Sequence, residues 1–272
     1  MKNSWKIIVL AIICFVLGTS EFVIVGVLDK IALSTNITIA QAGQLISVFA
    51  ITAAIGTPIA IYFMAGINQR KILMTALSII VVACVLMSVA YNYQLLILAR
   101  IIMALGVGIF NVYCFIAASK LAPEWKRASA IATVTVGFNA ALIVGLPVGR
   151  VVTSLFGWQT IFWFTAVFSL ISIYVVYKYI PPLLDEKPEN LKKQLSILKR
   201  PRLIVSFFVS FFWITGYAML YSYITPYLKN TSLMTESMIS VALFAFGVAT
   251  LIGNKSGAYV GEKTGRSEND NF

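Results

Sequence analysis

The chain has 272 residues, of which 60% are hydrophobic and only 11% are charged, and its mean hydropathy is +0.90. Soluble domains carry about 25% charged residues, so this composition excludes a water-soluble domain and predicts a multi-pass membrane protein. The chain has no histidine, which excludes Ser-His-Asp and Cys-His nucleophilic sites and His-ligated metal centres. It also lacks a phosphate-binding Gly-Lys-Ser/Thr loop. We therefore expect no enzyme activity, no metal and no cofactor.

Eight nearly uncharged stretches are long enough to cross a bilayer as helices. They show no alternation at period two, and each is about twice as long as a barrel strand, so helices are predicted rather than strands. The predicted fold class is an all-α polytopic membrane protein. The stretches cover residues 7–28, 42–65, 72–91, 95–118, 128–149, 160–179, 203–226 and 238–260.

The basic residues predict an orientation for these spans. With the N-terminus inside, seventeen Lys and Arg lie on the inner side, and only Lys30, Arg150 and Lys229 lie on the outer side. The positive-inside rule then places both termini in the cytoplasm. The net charge of +11 is therefore a topology signal for a cell-membrane protein, and it gives no evidence of a nucleic-acid site.

Glu21 is the one acid in the first apolar stretch, residues 7–28. An ionised carboxylate at bilayer depth raises the insertion free energy by about 2.5 kcal/mol or more, so such groups usually line a polar cavity or have a partner. A functional acid is the favoured interpretation. The alternative is a carboxyl that stays protonated or forms a hydrogen bond to a neighbouring helix.

The order of the spans predicts three regions: six spans in residues 1–180, a basic cytoplasmic linker in residues 181–202, and two spans with a polar tail in residues 203–272. Leucines 191, 195 and 198 in the linker repeat at helical spacing between lysines. This pattern fits a short helix on the inner membrane face and equally a solvated linker.

Two loops carry related motifs at equivalent places. Arg70 and Lys71 follow span 2, and the stretch 258–266 follows span 8. The second stretch resembles the Gly-x-Leu-Ala-Asp-Arg-x-Gly-Arg loop of the major facilitator superfamily, whose halves are six-helix repeats. Its matching residues are Glu262, Lys263, Gly265 and Arg266, with Glu262 in place of the aspartate. The resemblance implies a six-helix N-terminal bundle followed by two helices of an incomplete second bundle.

Span 5 contains Gly137, Gly145, Pro147 and Gly149. It resembles the Gly- and Pro-rich helix 5 signature of antiporters in this superfamily. Small residues four positions apart let helix backbones approach closely, and Pro147 allows a bend. Close packing alone explains most of this pattern. The functional prediction is that the same face slides or flexes during alternating access.

Arg100 begins a motif in span 4 that resembles the Arg-led helix 4 motif of the superfamily. At 1.5 Å per residue, Arg100 lies ~9 Å and Glu21 ~12 Å from the outer surface. Helices 1 and 4 both line the central cavity of this superfamily, so we predict that the two side chains face each other or share water as a proton-coupling pair. The alternative is that Arg100 snorkels to the outer interface.

The sequence around Glu21 looks like the opening of the drug:proton antiporter branch, in its arabinose, sugar and purine efflux subgroup. The resemblance implies proton-coupled efflux of small organic solutes, with the lipid bilayer, a proton and a solute as partners. The sequence leaves the oligomeric state undetermined. Candidate cavity residues are Asn111, Asn139 and Tyr217, although the asparagines are more typical of hydrogen bonds between membrane helices.

Members of this superfamily have twelve spans, and eight are expected here. The prediction is a chain that lacks helices 9 to 12, so that helix 5 keeps helix 8 as a partner while helix 2 loses helix 11. A non-transporting remnant is therefore the second hypothesis. An eight-span channel or membrane enzyme has little support, since no catalytic constellation or charged pore ring is visible.

Overall fold

A computed structural model describes residues 4–182, 201–249 and 252. Every regular element within these residues is helical, which confirms the predicted all-α class. Seven helical stretches of the described residues are long and apolar enough to cross a membrane, and one of them, Ser129–Phe156, comprises α5 and α6 below with the turn between them. The helices are α1 (Ser4–Ser34), α2 (Ile39–Met64), α3 (Gln69–Ser88), α4 (Tyr93–Leu121), α5 (Arg127–Ala140), α6 (Leu146–Phe156), α7 (Gln159–Tyr179), α8 (Pro201–Ser222), α9 (Ile224–Asn230) and α10 (Glu236–Ala249).

Polar side chains determine where several of these helices begin. Thr38 and Gln41 form a capping box at the start of α2, where the Gln41 amide donates to the Thr38 hydroxyl at 3.1 Å and the Thr38 amide donates to the Gln41 side chain at 2.9 Å. The Asn92 side chain accepts from the Leu95 amide at 2.8 Å at the start of α4. Each such cap satisfies an amide that has no partner within the helix.

The first six spans form one bundle, with α1 in contact with α2, α4, α5, α6 and α7. The fully buried side chains Leu10, Leu17 and Ile24 on α1 lie in its apolar core together with Phe110 and Phe162. The three helices α8 to α10 follow this bundle, and their assignment to an incomplete second bundle stays a prediction. Because residues 183–200 lie outside the described residues, the helix or linker at residues 191–198 stays a prediction.

α1 extends six residues beyond the predicted span, to Ser34, so Asp29 and Lys30 lie in a helix and not in a loop. A kink interrupts this helix at Val27 (φ −131°, ψ 16°). The Asp29 carboxylate is accommodated there because the Lys229 ammonium lies 2.6 Å from it. We call this end of the bundle the Asp29 end. The opposite end, where Arg70 contacts Tyr177, is the Arg70 end.

The small residues of span 5 pack directly on α1. A Cβ added at Gly137 would overlap the Ala11 backbone, and its distance to the Ala11 carbonyl carbon would be 2.8 Å. A Cβ at Gly145 would overlap Thr19 in the same way. The predicted close approach of two backbones is confirmed, and α1 is the helix that approaches.

Gly137→Ala is expected to lower the free energy of unfolding by about 1–3 kcal/mol, because the added methyl group can be accommodated only by a backbone shift. Gly216→Ala is the matched control, since a Cβ at Gly216 on α8 would have no atom of the described residues within 4 Å apart from the backbone of its own helix. The measurement is the midpoint of thermal unfolding in detergent. Equal midpoints for the two variants would mean that the α1–α5 contact is looser than described.

Candidate functional site

Glu21 lies on α1 between the buried Ser20 and the partly exposed Phe22. The Ser20 hydroxyl donates to the Leu17 carbonyl at 2.8 Å, and the Phe22 ring meets the Phe138 ring edge-on at 5.3 Å between centroids. The Glu21 side chain is itself partly exposed. In the part of the chain that the structure describes, no hydrogen bond or ion pair holds its carboxylate. Glu21 is therefore an acid in a spanning helix with no fixed partner among the described residues.

The Arg100 guanidinium is enclosed by α2 and α4 and is only 1% exposed. It lies 4.3 Å from the centroid of the Phe49 ring, its Nε donates to the Leu45 carbonyl at 3.3 Å, and one terminal nitrogen lies 3.6 Å from the Met103 sulfur. A cation over an aromatic face is stabilised most when water is excluded. The alternative that Arg100 snorkels to an interface is wrong for this structure, because the side chain is buried in protein.

Glu21 and Arg100 interact electrostatically, but they do not form an ion pair among the described contacts. The sequence placed them at similar depth, and the structure places a cation near the acid without a direct bond. Arg100 is held instead by Leu45 and Phe49. The hydrogen bond and ring contact that hold Arg100 therefore do not involve Glu21.

The three candidate cavity residues lie on three different helices. Asn111 on α4 is partly buried, and its carbonyl oxygen is enclosed without a hydrogen-bond donor among the described residues. Asn139 on α5 is also partly buried. Tyr217 on α8 is 38% exposed and stacks on Tyr221 at 5.4 Å and on Phe246 at 6.0 Å between centroids. None of the three binds Glu21 directly, so their role as cavity residues stays a prediction.

A π-helical turn, Ala141–Gly145, ends two residues before Pro147, and the bend at Pro147 stays a prediction. The Leu146 amide donates to the Ala141 carbonyl across this turn. Proline cannot donate to the preceding turn, and π turns often occur at functional sites. α10 approaches the same turn, where a Cβ at Gly247 would lie 2.6 Å from the Ile143 Cα. Span 5 thus contacts α10, which is the predicted span 8, as expected, while Gly149 packs against Val23 of α1.

Of the two loop motifs, only the first lies within the described residues. The structure places Arg70 and Lys71 in the first turn of α3 and not in the preceding loop. The Arg70 guanidinium donates to the Tyr177 carbonyl at 3.3 Å and lies 5.4 Å from the centroid of the Tyr177 ring, which ties the start of α3 to α7. Lys71 is exposed. The second motif, with its residues Glu262, Lys263, Gly265 and Arg266, lies outside the described residues.

Sequence reasoning missed a cluster of charges at the Asp29 end, which we call the Asp29 cluster: Asp29, Lys30, Arg150, Lys229 and Glu236. Arg150 is 1% exposed, and it lies 2.8 Å from the Glu236 carboxylate and 4.0 Å from the Asp29 carboxylate. The residues were visible in the sequence only as charges flanking apolar spans. One signal in the sequence could have indicated a cluster: the three cations assigned to the outer side are accompanied by two acids, Asp29 and Glu236.

These features define a class: a multi-pass α-helical membrane protein with a six-helix bundle, buried polar groups and further helices that contact the bundle at one end. The sequence profile of the Major Facilitator Superfamily matches residues 10–268. The chain belongs to this superfamily of membrane transporters.

Similar proteins are found among curated sequences and among solved structures. The chain is 42% identical over 265 residues to the uncharacterized MFS-type transporter YbcL of Bacillus subtilis (strain 168), and the match covers 97% of this chain and 68% of YbcL. A bacterial homologue of the human lysosomal transporter Spinster, crystallised inward-facing and unoccupied, matches with a TM-score of 0.75 at 19% identity. The inward-facing and occupied form matches with a TM-score of 0.76 at 18% identity. Each match covers 96% of this chain but only 63% and 62% of the solved chains.

Proposed function

We propose that this transporter couples the movement of small organic solutes to a proton gradient, in the manner of the drug:proton antiporter branch that its first helix resembles. The observation that carries the proposal is Glu21: an acid within a spanning helix, partly accessible, with no fixed partner among the described residues. Intramembrane ionisable residues mark proton and substrate pathways more often than structural sites.

The proposed mechanism rests on the different environments of Glu21 and Arg100. Removing an ion from water disfavours its charged form, and a nearby opposite charge favours it. The Glu21 carboxyl experiences both effects and can change its protonation, whereas Arg100 keeps its charge and its position against Phe49. A proton bound on one side of the membrane and exchanged for solute on the other would produce antiport.

We also propose the orientation given by the basic residues, with both termini and the Arg70 end in the cytoplasm and the Asp29 end outside the cell membrane. The division into a bundle at 1–180, a linker at 181–202 and a partial bundle at 203–272 belongs to the same proposal. The second candidate is a membrane protein that does not transport. It is favoured by α8, in which none of residues 203–220 is buried.

The test is solute flux in proteoliposomes that contain the purified chain, across imposed pH gradients of either sign. A panel of radiolabelled drug-like cations, sugars and purines serves as probe. We expect the flux of at least one class to follow the gradient and to collapse with a protonophore, because proton and solute binding would be thermodynamically linked. Equal flux in protein-containing and empty vesicles for every class would favour the non-transporting alternative.

A further inference from the structure

The Asp29 cluster joins the six-helix bundle to the helices that follow it. We propose that it is an ionic latch that holds the Asp29 end closed and releases when α9 and α10 move away from the bundle. The latch consists of Asp29 and Arg150 on the bundle side, and Lys229 and Glu236 on the side of α9 and α10. Lys30 lies within its electrostatic field.

The geometry of the latch connects each acid to both cations. Asp29 lies 2.6 Å from the Lys229 ammonium and 4.0 Å from the Arg150 guanidinium, while Glu236 lies 2.8 Å from Arg150 and 3.5 Å from Lys229. The two shortest pairs, Asp29–Lys229 and Arg150–Glu236, are the ones that cross between the bundle and the later helices. Separation of the two parts must therefore break the two closest ion pairs of the cluster.

Arg150 is anchored on the bundle side by a feature of the backbone. Its guanidinium donates to the Gly26 carbonyl, directly before the kink of α1 at Val27. A carbonyl beside a kink of α1 thus accepts a hydrogen bond from a side chain of α6. Since this bond lies wholly within the bundle, Arg150 keeps it when Glu236 leaves. The Arg150 guanidinium is thus held in place on the bundle, while the Glu236 carboxylate can bind to it and leave.

Lys30 makes the cluster sensitive to the loss of an acid. Its ammonium is enclosed and has no hydrogen-bond acceptor among the described residues, and it interacts electrostatically with all four latch residues. The five charges therefore comprise three cations and two anions. The hydrogen bond to Asp29 raises the pKa of Lys229. This ammonium thus stays charged across the neutral range, and its contribution to the latch is lost only as the pH rises past the raised pKa.

An apolar layer lies beside the latch and completes the closed end. Val25 on α1 and Leu146 on α6 pack with Tyr221, Ile239 and Leu243 of the later helices, and all five are buried. In contrast, none of residues 203–220 of α8 is buried. Contact between the two parts is thus concentrated at the Asp29 end, and the part of α8 nearer the Arg70 end is separate from the bundle.

Charged groups suit a contact that has to break repeatedly. Desolvation offsets most of the Coulomb energy of a buried ion pair, so such pairs stabilise a closed state only modestly. When the latch opens, water can hydrate each separated charge. Removing a single partner has a larger effect, because it leaves an unpaired charge at the contact. Neutralising one acid should therefore shift the equilibrium of the Asp29 end strongly from the closed to the open form.

The test measures the distance across the Asp29 end with spin labels at Tyr91→Cys and Met238→Cys in the full chain. Both positions are exposed, whereas the native Cys14, Cys84 and Cys114 are buried and should react poorly with the label. Glu236→Gln removes the acid that contacts Arg150 and Lys229, leaving three cations against Asp29. We expect the ratio of long to short distances to rise about 5- to 10-fold, within the usual range of coupling between two states.

Glu124→Gln is the matched control, because it breaks an exposed Glu124–Arg127 pair of 3.4 Å at the Arg70 end and should leave the distances unchanged. Lys229→Gln, at a side chain that is 37% exposed, should raise the same ratio and serves if Glu236→Gln folds poorly. Distances in both latch variants that match the control would overturn the proposal. Since the distances need neither substrate nor a proton gradient, this outcome is independent of whether the chain transports.

Discussion

Replacing Glu21 by glutamine is expected to remove the dependence of solute flux on the pH gradient. Glutamine keeps the length and hydrogen-bonding capacity of the side chain but cannot release a proton. Because Glu21 is held by no fixed partner among the described residues, the substitution should leave the fold intact. The expected result is a loss of about 10-fold or more in gradient-driven flux, the scale of a coupling free energy between two linked ligands.

The control for this experiment is Glu124→Gln, at a side chain that is 84% exposed and far from α1 in the sequence. Both variants are reconstituted at equal protein density, and flux is measured with and without the imposed gradient. Glu21→Gln should retain exchange down a solute gradient while losing the response to pH. Gradient-driven flux equal to that of Glu124→Gln would remove Glu21 from the coupling mechanism.

The helices could be predicted because length and hydropathy are local properties of the sequence. Six apolar stretches with short loops dictate a bundle, and the capping residues at Thr38 and Asn92 fix helix starts. The end of α1 could not be predicted in this way. Asp29 looked like a loop residue because its partner Lys229 lies 200 positions later, and no local pattern connects the two.

For the candidate site, the sequence predicts how deep a residue lies in the membrane but not the direction in which its side chain points. Counting residues from a span end gives depth, so Glu21 and Arg100 were placed at similar levels. Depth does not determine which way a side chain points, since each residue turns about 100° around a helix with 3.6 residues per turn. Arg100 contacts Phe49 and Leu45 of α2. Both are uncharged, so the charge pattern of the sequence does not indicate them as its partners.

The substitution Arg100→Met, which removes the positive charge, is expected to lower gradient-driven flux strongly and the free energy of unfolding only slightly. Methionine has a long, flexible side chain that can occupy the space beside Met103 and Phe49. The loss of one cation–π contact and one hydrogen bond should lower the free energy of unfolding by only about 1–2 kcal/mol. Gradient-driven flux should fall by about 10-fold or more, because the fixed positive charge that interacts with Glu21 is gone.

Arg100→Lys separates the role of charge from the role of shape. Lysine keeps the charge but cannot reproduce the planar stack on Phe49 or the Nε–H bond to Leu45, so its position near Glu21 is less well defined. If Arg100 acts through its charge, the lysine variant should keep a substantial part of the gradient-driven flux that the methionine variant loses. Arg127→Met, at a side chain that is 53% exposed, should behave like the parent protein. Equal losses in the lysine and methionine variants would instead show that Arg100 acts through its packing against α2.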